Sequence, residues 1–366
     1  MSSGHLFRYG ETGAAITDAA LLERDFARLI GRSYAIAFNS CGASLAVGLR
    51  ASGVTTGDDV LMNAFTLAPV PGAIAHVGAN PILVEIDENY CVDLDSLRRS
   101  ADATGAKHFL LSYMRGHIPD MNAVLAICEE RGITVIEDCA HTMGATWAGR
   151  PTGSLGTVGC FSTQTFKHAN SGEGGLLVTD DPDIAAQAVL LSGSYMLYEQ
   201  HGAAPNHEHF ERHRLTTPNW SMRMSALAAA LVHPQLELLP ERAAIWRRLY
   251  HRVAHGLRDH PGLHLPARLD GFVPSSIQFT VLDRSNDDMQ RWLGRCADHG
   301  LHIKWFGADE PVGFTSRFDH WRYADEQSLA ATLATLRGLC DIRLPLSLTD
   351  ADCDTIAAIV TQTLDG

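Results

Sequence analysis

The first two-thirds of the chain alternates between segments of helical periodicity and short apolar runs typical of buried strands. Residues 18–30 place their apolar side chains on one face of a helix, with Asp18 as the predicted N-cap. A strand at 34–38 and a helix at 42–53, closed by Gly53, follow. Further strands are predicted at 59–62, 81–86, 108–112, 133–137, 158–162 and 175–179, with helical segments between the earlier ones, notably 121–131. This alternation predicts a mainly parallel sheet covered by helices on both faces.

The pattern becomes helical after residue 180 and mixed after about residue 258. Because proline cannot continue a regular helix, Pro240 marks the predicted change of direction between two long helices. Helices are predicted at 183–192, 223–239, 240–257, 286–299, 326–338 and 350–364, and strands at 275–282 and 301–306. We therefore predict an N-terminal arm (1–17), a large α/β domain (18–240) and a small C-terminal α+β domain (241–366).

Composition narrows the class of protein. The 366 residues are 46% hydrophobic and carry a net charge of −13 without any basic run, so we expect no nucleic-acid partner and no membrane partner. Eight cysteines without CxxC pairs argue against a disulfide framework or a zinc site, and we predict no metal. Since the chain shows no signal peptide and no apolar segment of about 18 residues, we expect a cytoplasmic protein.

Lysine is scarce in this chain, which draws attention to the stretch QTFKHANSGEGG at 164–175. The three lysines are Lys107, Lys167 and Lys304. A lysine amine becomes a nucleophile when burial or neighbouring positive charge lowers its pKa, whereas arginine stays protonated. Lys167 follows a predicted strand and precedes a glycine-rich turn. It is therefore a candidate for forming a Schiff base, with an ordinary surface lysine as the alternative.

Two other predicted strand ends carry candidate chemistry. NSCGAS (39–44) joins a strand to a helix through small residues, so its backbone N–H groups can hold an anion; an ordinary tight turn is the alternative. VIEDCAH (135–141) ends in Asp138 and His141, and for Asp138 a helix cap is the alternative. Ligands of open α/β sheets bind beyond the carboxyl ends of the strands. An anion cradle, an acid and an imine-forming lysine at such ends are what pyridoxal 5′-phosphate requires.

Nearly the whole chain resembles the DegT/DnrJ/EryC1/StrS sugar aminotransferases, which are fold-type I enzymes dependent on pyridoxal phosphate (PLP). The resemblance is carried by FNSCGASLAVGLRASGVTTGDDVLM, VIEDCAHTMGATWAGRPTGSLGTVGCFS, KHANSGEGGLLVTDD and MRMSALAAALVHPQLELL. It implies an α/β fold like that of aspartate aminotransferase, with a smaller C-terminal α+β domain. It also implies a homodimer whose active sites borrow residues from the partner subunit.

The resemblance assigns roles to individual residues. It implies that Lys167 forms the Schiff base with the cofactor, that Asp138 pairs with the pyridine nitrogen, and that His141 lies against the ring. The positions that the family uses for the cofactor phosphate are occupied by Gly42, Ala43 and Ser162.

Three positions depart from the family pattern. Leu67 stands where a ring-stacking aromatic residue is common, with Phe65 as the alternative contact. Ser221 stands where the asparagine that reaches the partner subunit is usual, and Asn219 lies two residues earlier. We expect Leu67, Asn219 and Ser221 to be cofactor-binding positions. Arg115 replaces a more typical aromatic or small residue, which puts the standard nucleotide-sugar substrate in question.

The function implied by the resemblance is the transfer of an amino group from an amino acid, glutamate or glutamine, to a keto-sugar or related cyclic ketone. Such a reaction serves amino-sugar, glycan or secondary-metabolite biosynthesis. Two alternatives are a PLP-dependent lyase or carbon–carbon bond-forming enzyme acting on a non-sugar substrate, and a non-catalytic binding protein. The family's dehydratases commonly replace the lysine with histidine, so the presence of Lys167 disfavours that branch.

Three loop segments raise questions of their own. Residues 8–13 and 305–323 are rich in groups that suit a polar substrate, although the second segment is equally able to pack domain against domain. The histidines of 200–213 fit no common metal-site spacing, and we predict a solvated loop there.

Overall fold

The fold comes from a computed structural model, whose described residues are 6–9, 16–194, 196–269, 271–312 and 317–365. The helices are α1 (Asp18–Ile30), α2 (Cys41–Ala51), α3 (Pro69–His76), α4 (Leu94–Thr104), α5 (Met121–Arg131), α6 (Pro182–Ser192), α7 (His207–His213), α8 (Ala226–Val232), α9 (Leu239–Leu257), α10 (Asn286–Asp298), α11 (Ala330–Arg337) and α12 (Asp350–Asp365). The strands are β1 (Tyr34–Phe38), β2 (Asp59–Asn63), β3 (Asn80–Val84), β4 (His108–Ser112), β5 (Thr134–Asp138), β6 (Thr146–Trp147), β7 (Arg150–Pro151), β8 (Val158–Ser162), β9 (Gly175–Thr179), β10 (Leu263–His264), β11 (Ser276–Val281), β12 (Lys304–Trp305) and β13 (Leu339–Arg343).

The large sheet of the described chain has the strand order β1-β9-β8-β5-β4-β2-β3. Neighbours from β8 to β3 run parallel, whereas β9 is antiparallel to both β8 and β1. The strands β4, β8 and β9 are buried along their whole length, as expected when helices cover both faces of a sheet. The parallel arrangement brings the carboxyl ends of β2, β4, β5 and β8 to one edge.

The second sheet has the order β10-β11-β13-β12 and is antiparallel throughout the described residues. Its strand β13 was missed in the sequence because the apolar run GLCDIRL directly follows a predicted helix and contains no turn signal. The predicted strand 301–306 is reduced to β12, which has two residues. Helices α9 and α12 pack against each other beside this sheet.

The boundaries of several helices differ from the prediction. The N-cap of α1 is Thr17, whose Oγ1 accepts from the backbone N–H of Ala20 at 3.3 Å, so the prediction of Asp18 as the cap is wrong. Asp18 instead begins the helix, where its negative charge is favourable. The predicted helix 223–239 is also wrong: α8 ends at Val232 and a 3-10 turn follows at His233–Gln235. Pro240 lies in the first turn of α9, a position that proline tolerates well.

The histidine-rich segment 200–213 is not simply a loop, because α7 (His207–His213) lies inside it. Its histidines approach carboxylates on the surface, such as His213 Nε2 at 2.9 Å from Asp183 Oδ1. In the part of the chain that the structure describes, no group of three His, Cys, Asp or Glu side chains has the arrangement of a metal site.

The domain boundaries stay predictions. Most of the predicted arm 1–17 and part of segment 8–13 lie outside the described residues, but Arg8 is buried and forms an ion pair with Glu23 at 2.5 Å. One cluster of buried side chains contains residues of both sheets, including Phe109 and Phe279, so the two sheets share core packing.

Among the described helices, none combines the length and apolar character needed to cross a membrane.

Candidate active site

A cavity of about 440 Å³ opens at the carboxyl edge of the large sheet. It lies where the chain leaves β1, β2, β4, β5 and β8, as general rules for open α/β sheets lead us to expect. Its volume is within the range of small-molecule sites. Six of the sequence-predicted residues line it: Gly42, Leu67, Asp138, His141, Ser162 and Lys167.

The turn from β1 into α2 forms one wall of the cavity. Ser40 is the N-cap of α2, and its Oγ accepts from the backbone N–H of Ala43 at 3.0 Å. A Cβ atom placed on Gly42 would have Ser40 Oγ, at 3.9 Å, as its nearest neighbour, so the space in front of this glycine is open. Ala43 is buried behind the wall and is not among the residues that line the cavity. The helix N-terminus and Gly42 together suit an anion.

Asp138 lies at the end of β5 and is almost completely buried. Its Oδ2 accepts from Ser112 Oγ at 2.6 Å and its Oδ1 accepts from the backbone N–H of Ala140 at 3.1 Å. Burial raises the pKa of this carboxyl group, while Ser112, Ala140 and the charge of Lys167 act in the opposite direction. No helix follows it within residues 139–145, so the helix-cap alternative for Asp138 is excluded.

The neighbouring Glu137 has a different role. Its carboxylate accepts from Tyr113 Oη at 2.7 Å and from the backbone N–H groups of Gly153, Leu155 and Gly156 at 2.6 to 2.8 Å. Because strand residues alternate between faces, Glu137 lies on the side of the sheet away from Asp138. It holds the turn that leads into β8 and takes no part in the cavity.

Lys167 reaches the cavity from the loop between β8 and β9. Its Nζ lies 3.1 Å from Nε2 of His141, whose ring is buried. Burial, followed by the charges of Lys167 and Arg115, lowers the pKa of His141 well below its usual range, so the ring is neutral. Burial also lowers the pKa of Lys167 from 10.5 to about 8; Asp138 and Cys41 oppose this shift, and Arg115 and Arg343 add to it. An amine with such a pKa is neutral in part at physiological pH.

Glycines at 174 and 175 bring the lysine loop back against the first wall of the cavity. Gly174 has a φ of +154°, and a Cβ there would be 2.3 Å from Thr163 Oγ1. A Cβ on Gly175 would be 2.5 Å from the carbonyl oxygen of Ser40. The backbone of β9 therefore touches the turn that begins α2, and a side chain at residue 175 would push the two apart.

Leu67, not Phe65, borders the cavity. Phe65 is buried and packs edge-on against Phe306 and Tyr90, with ring centroids 5.1 and 6.2 Å apart. At this position an aliphatic side chain, not an aromatic ring, therefore lines the cavity.

Asn219 and Ser221 lie away from the cavity of their own chain. Asn219 Oδ1 accepts from the backbone N–H of Ser221 at 2.9 Å, and Ser221 has a φ of +57°. Arg223 Nη1 donates to the carbonyl oxygen of Gly193 at 2.6 Å and to Ser221 Oγ at 3.3 Å. Contact of either residue with a cofactor in a partner subunit stays a prediction.

Sequence reasoning missed the residues that hold Asp138 in place. Thr66 Oγ1 donates to Ser112 Oγ at 2.8 Å, and Asn63 Oδ1 accepts from the backbone N–H of Ser112 at 2.8 Å. Asn63 ends β2 and Thr66 follows it, while Ser112 ends β4, the strand that lies between β2 and β5 in the sheet. The available signal was that each is a polar residue at the carboxyl end of an apolar run.

The side chains around the cavity fit PLP. The open N-terminus of α2 suits its phosphate, the buried carboxylate of Asp138 suits its pyridinium nitrogen, and the Lys167 amine suits its aldehyde.

His168, next to the lysine, is fixed by a contact of 3.1 Å between its Nε2 and the carbonyl oxygen of Val273. The lysine loop is therefore anchored on the far side from the cavity.

Comparison with known proteins agrees with this arrangement. A sequence model of the DegT/DnrJ/EryC1/StrS aminotransferase family matches residues 11–361. The spore coat polysaccharide biosynthesis protein SpsC of Bacillus subtilis is 33% identical over 251 residues, which are 67% of this chain and 62% of SpsC. A putative L-glutamine:3-amino-2,3-dideoxy-scyllo-inosose aminotransferase of Micromonospora echinospora is 32% identical over 214 residues, 58% of this chain and 49% of that protein. The matched segments thus span about half to two-thirds of these curated relatives.

Among solved structures, the aminotransferase TlmJ from Streptoalloteichus hindustanus superposes with a TM-score of 0.82 and 24% identity, covering 100% of this chain and 93% of TlmJ. At this identity the likeness concerns the fold. It confirms the predicted α/β class, a mixed central sheet covered by helices as in fold-type I enzymes.

Proposed function

Because this chain belongs to the DegT/DnrJ/EryC1/StrS aminotransferase family, we propose that it transfers an amino group from an amino acid to a keto-sugar or related cyclic ketone, with PLP as its cofactor. Glutamate or glutamine is the proposed donor, and similarity to the L-glutamine-dependent aminotransferase named for Micromonospora supports an L-glutamine donor. Its name and that of SpsC support a carbohydrate or cyclitol acceptor in amino-sugar or polysaccharide biosynthesis.

One observation carries the proposal. A lysine with a pKa of about 8 shares a single cavity with a buried carboxylate, Asp138, and a neutral histidine, His141. Perturbed titratable groups that converge in a cleft are typical of catalytic sites. The same cavity includes the open N-terminus of α2, so anion binding and amine chemistry are available side by side.

Asp138, Lys167 and His141 have different proposed roles in this reaction. Bound PLP supplies a carbonyl that can carry an amino group and a ring that accepts electrons. Asp138 holds a proton on the ring nitrogen, and Ser112 and Ala140 keep its carboxylate in position. The Lys167 amine would anchor the cofactor, and its free Nζ would take a proton from the α-carbon of the donor and deliver it to the bound cofactor. The neutral ring of His141 gives Nζ a neighbour that can accept a hydrogen bond.

The phosphate of PLP is assigned to the turn before α2. Ser40 Oγ, the backbone N–H of Gly42 and Ser162 Oγ are the proposed contacts within one chain, with Ala43 behind them. Leu67 is the proposed apolar contact of the ring. We further propose a homodimer in which Asn219 or Ser221 completes the phosphate site of the partner subunit.

Exposed apolar side chains support a partner for the segment that contains Asn219 and Ser221. Met196 and Leu215 are 90% and 85% exposed, and Leu227 and Leu231 are exposed one helical turn apart on α8. Leu227 and Leu231 are therefore neighbours on the surface of α8, and adjoining exposed apolar groups are typical of interaction surfaces. A cytoplasmic location belongs to the same proposal.

The test is a half-reaction on the purified chain. PLP is added, the complex is reduced with borohydride, and the labelled peptide is identified by mass spectrometry; we expect the label on Lys167. Unreduced complex is then mixed with glutamate or glutamine, and absorbance follows conversion of bound PLP to its aminated form. Keto-sugars and cyclic ketones are finally screened for the reverse conversion.

The outcomes separate the alternatives. Labelling of Lys167 without conversion by any donor would contradict amino transfer and favour a lyase or carbon–carbon bond-forming enzyme. Failure to bind PLP would favour a non-catalytic protein. Labelling of Lys107 or Lys304 instead of Lys167 would contradict the assignment of the site.

A further inference from the structure

Beside the lysine loop, one face of the second sheet carries a concentration of positive charge. The guanidinium carbon of Arg343 lies 3.9 Å from the ring centroid of Phe166, the residue before Lys167. Both side chains are exposed. Arg343 therefore stands at the entrance to the region of the cofactor lysine, although it comes from β13, about 180 residues further along the chain.

The strand register places two further charged side chains on the same face. Asp341 and Arg343 are two residues apart on β13 and so project to one side, and Lys304 of β12 is paired with Asp341. The Lys304 amine lies 4.7 Å from the ring centroid of Phe306. Burial, together with Arg115 and Arg343, lowers the pKa of Lys304 to about 8, which agrees with close approach of these cations.

The one carboxylate of this group, Asp341, is already engaged. Its Oδ2 lies 2.9 Å from Nη2 of Arg115, and its Oδ1 accepts from Gln278 Nε2 at 2.6 Å. Arg115 and Asp341 are only 7% and 2% exposed, so this ion pair is shielded from solvent. Arg115 also has a φ of +54°, a conformation that is rare for a side chain of its size. Its guanidinium is thus committed to neutralising Asp341.

Arg343 is not neutralised in this way. Its guanidinium makes neither a hydrogen bond nor an ion pair with any residue that the structure describes; its contact is the face of Phe166. A guanidinium that rests on an aromatic ring keeps its N–H edge available, and that edge matches the two oxygens of a carboxylate or phosphate. The chain carries a net charge of −13, so an arginine without a carboxylate partner among the described residues gives this entrance a positive charge that contrasts with the overall negative charge.

We propose that Arg343 binds an oxyanion group of the substrate, a carboxylate or phosphate, on the side of the cavity that faces β12 and β13. Lys304 adds positive charge to this subsite, and the Arg115–Asp341 pair fixes the strand that presents it. The inference rests on the proposed amino transfer, since it gives that reaction a recognition element. The oxyanion belongs either to the amino donor or to the acceptor.

Binding is tested first without turnover. The holoenzyme is titrated with glutarate, an unreactive dicarboxylate, and separately with inorganic phosphate, and calorimetry and cofactor absorbance are recorded. We expect at least one probe to bind and its Kd to rise about 10- to 100-fold in Arg343→Gln. Arg343→Lys should recover part of the affinity. Arg291→Gln, which removes an exposed arginine of α10, is the matched control and should behave as the parent chain.

The kinetic arms then identify the source of the oxyanion. If Arg343→Gln weakens the glutamate or glutamine half-reaction, mainly through KM, the group is a carboxylate of the donor. If it weakens only the acceptor half-reaction, the group belongs to the acceptor. Equal probe binding by the parent chain and Arg343→Gln, or no probe binding by the parent chain at millimolar concentration, would overturn the proposal. Loss of probe binding in Arg343→Gln without any amino transfer by the parent chain would keep the subsite and reject the proposed function.

Discussion

Lys167 and Lys304 have similarly lowered pKa values but lie in different parts of the molecule. The pKa of each is lowered to about 8, in both cases first by burial and then in part by Arg115 and Arg343. Lys167 stands at the edge of the large sheet, 3.1 Å from His141 and in one cavity with Asp138. Lys304 stands on the second sheet, paired in register with Asp341, over the ring of Phe306.

A lowered pKa is therefore insufficient to identify a catalytic lysine. The two lysines differ in the groups around them. Lys167 has a carboxylate held by hydrogen bonds and an open helix N-terminus nearby, whereas Lys304 has a neutralised carboxylate and an aromatic ring. The large-sheet edge is built to hold a cofactor, whereas the second sheet presents charge to whatever approaches it. Four experiments test this division.

The largest effect is expected from replacing Lys167 with arginine. Arginine keeps the charge but forms no covalent bond with PLP, so we expect loss of borohydride labelling and a fall in amino transfer of about 10⁴-fold. Lys304→Arg should leave the label on Lys167 and change KM instead. Lys107→Arg is the control, because Lys107 is exposed and lies before β4, at the opposite end of that strand from the cavity. Undiminished labelling in Lys167→Arg would reverse the assignment of the two lysines.

The next effect separates Asp138 from Glu137. Asp138→Asn removes the charge that we propose pairs with the ring nitrogen of PLP while keeping partners for Ser112 and Ala140, so we expect kcat to fall about 10²- to 10³-fold with little loss of stability. Glu137→Gln weakens four hydrogen bonds of a buried carboxylate on the face of the sheet away from Asp138, and we expect about 3 kcal/mol less stability against denaturant. Parallel measurements of kcat and unfolding decide; the reverse pattern would show that the two roles are exchanged.

A third experiment uses pH. The nucleophile is the neutral amine, and the pKa of Lys167 is about 8, so the rate of PLP attachment to the apoprotein should fall about tenfold per unit below pH 8 and level off above it. The profile should persist in Lys304→Arg, which keeps its charge throughout the range. Stopped-flow absorbance measures the rate. A flat profile between pH 6 and about 9 would indicate that another step limits attachment.

The smallest effect is expected at Ser112. Ser112→Ala removes the hydroxyl that donates to Asp138 Oδ2, and we expect a five- to tenfold loss in kcat, about 1 kcal/mol of transition-state free energy. Ser192→Ala is the matched control, because Ser192 is also buried and donates to the carbonyl oxygen of Val189 in α6. Equal losses in both variants would point to a general destabilisation rather than to the support of Asp138.

The sequence predicted the residues whose signals are local. Lys167 and Asp138 follow apolar strands, and the strand order of an open sheet brings such ends together, as the cavity shows. The support of Asp138 by Ser112 and Thr66 depends on which strands become neighbours, and a single sequence does not reveal this. The Arg343 contact with Phe166 depends on β13, which the hydrophobic pattern did not mark as a strand.

Other differences have local physical causes. The N-cap moved from Asp18 to Thr17 because the two adjacent residues are both good caps and their backbone angles decide between them. The helix predicted over 223–239 failed because 3.6-residue periodicity continues through a 3-10 turn that contains proline. For Asn219 and Ser221 the deciding partner is a second chain, which a pattern within one sequence cannot position.

The contact between Gly175 and Ser40 has a consequence for biosynthesis. The strand β1 lies at the edge of the large sheet and pairs with β9. Residue 38 therefore has no neighbouring strand in this sheet until residue 175 has been synthesised. The ribosome must therefore deliver almost half of the polypeptide before the turn that begins α2 is backed by another strand. During that interval β1 is an unpaired apolar edge, a hazard for self-association. The turn proposed to bind phosphate is thus synthesised early but is backed by β9 only after about 135 further residues have been made.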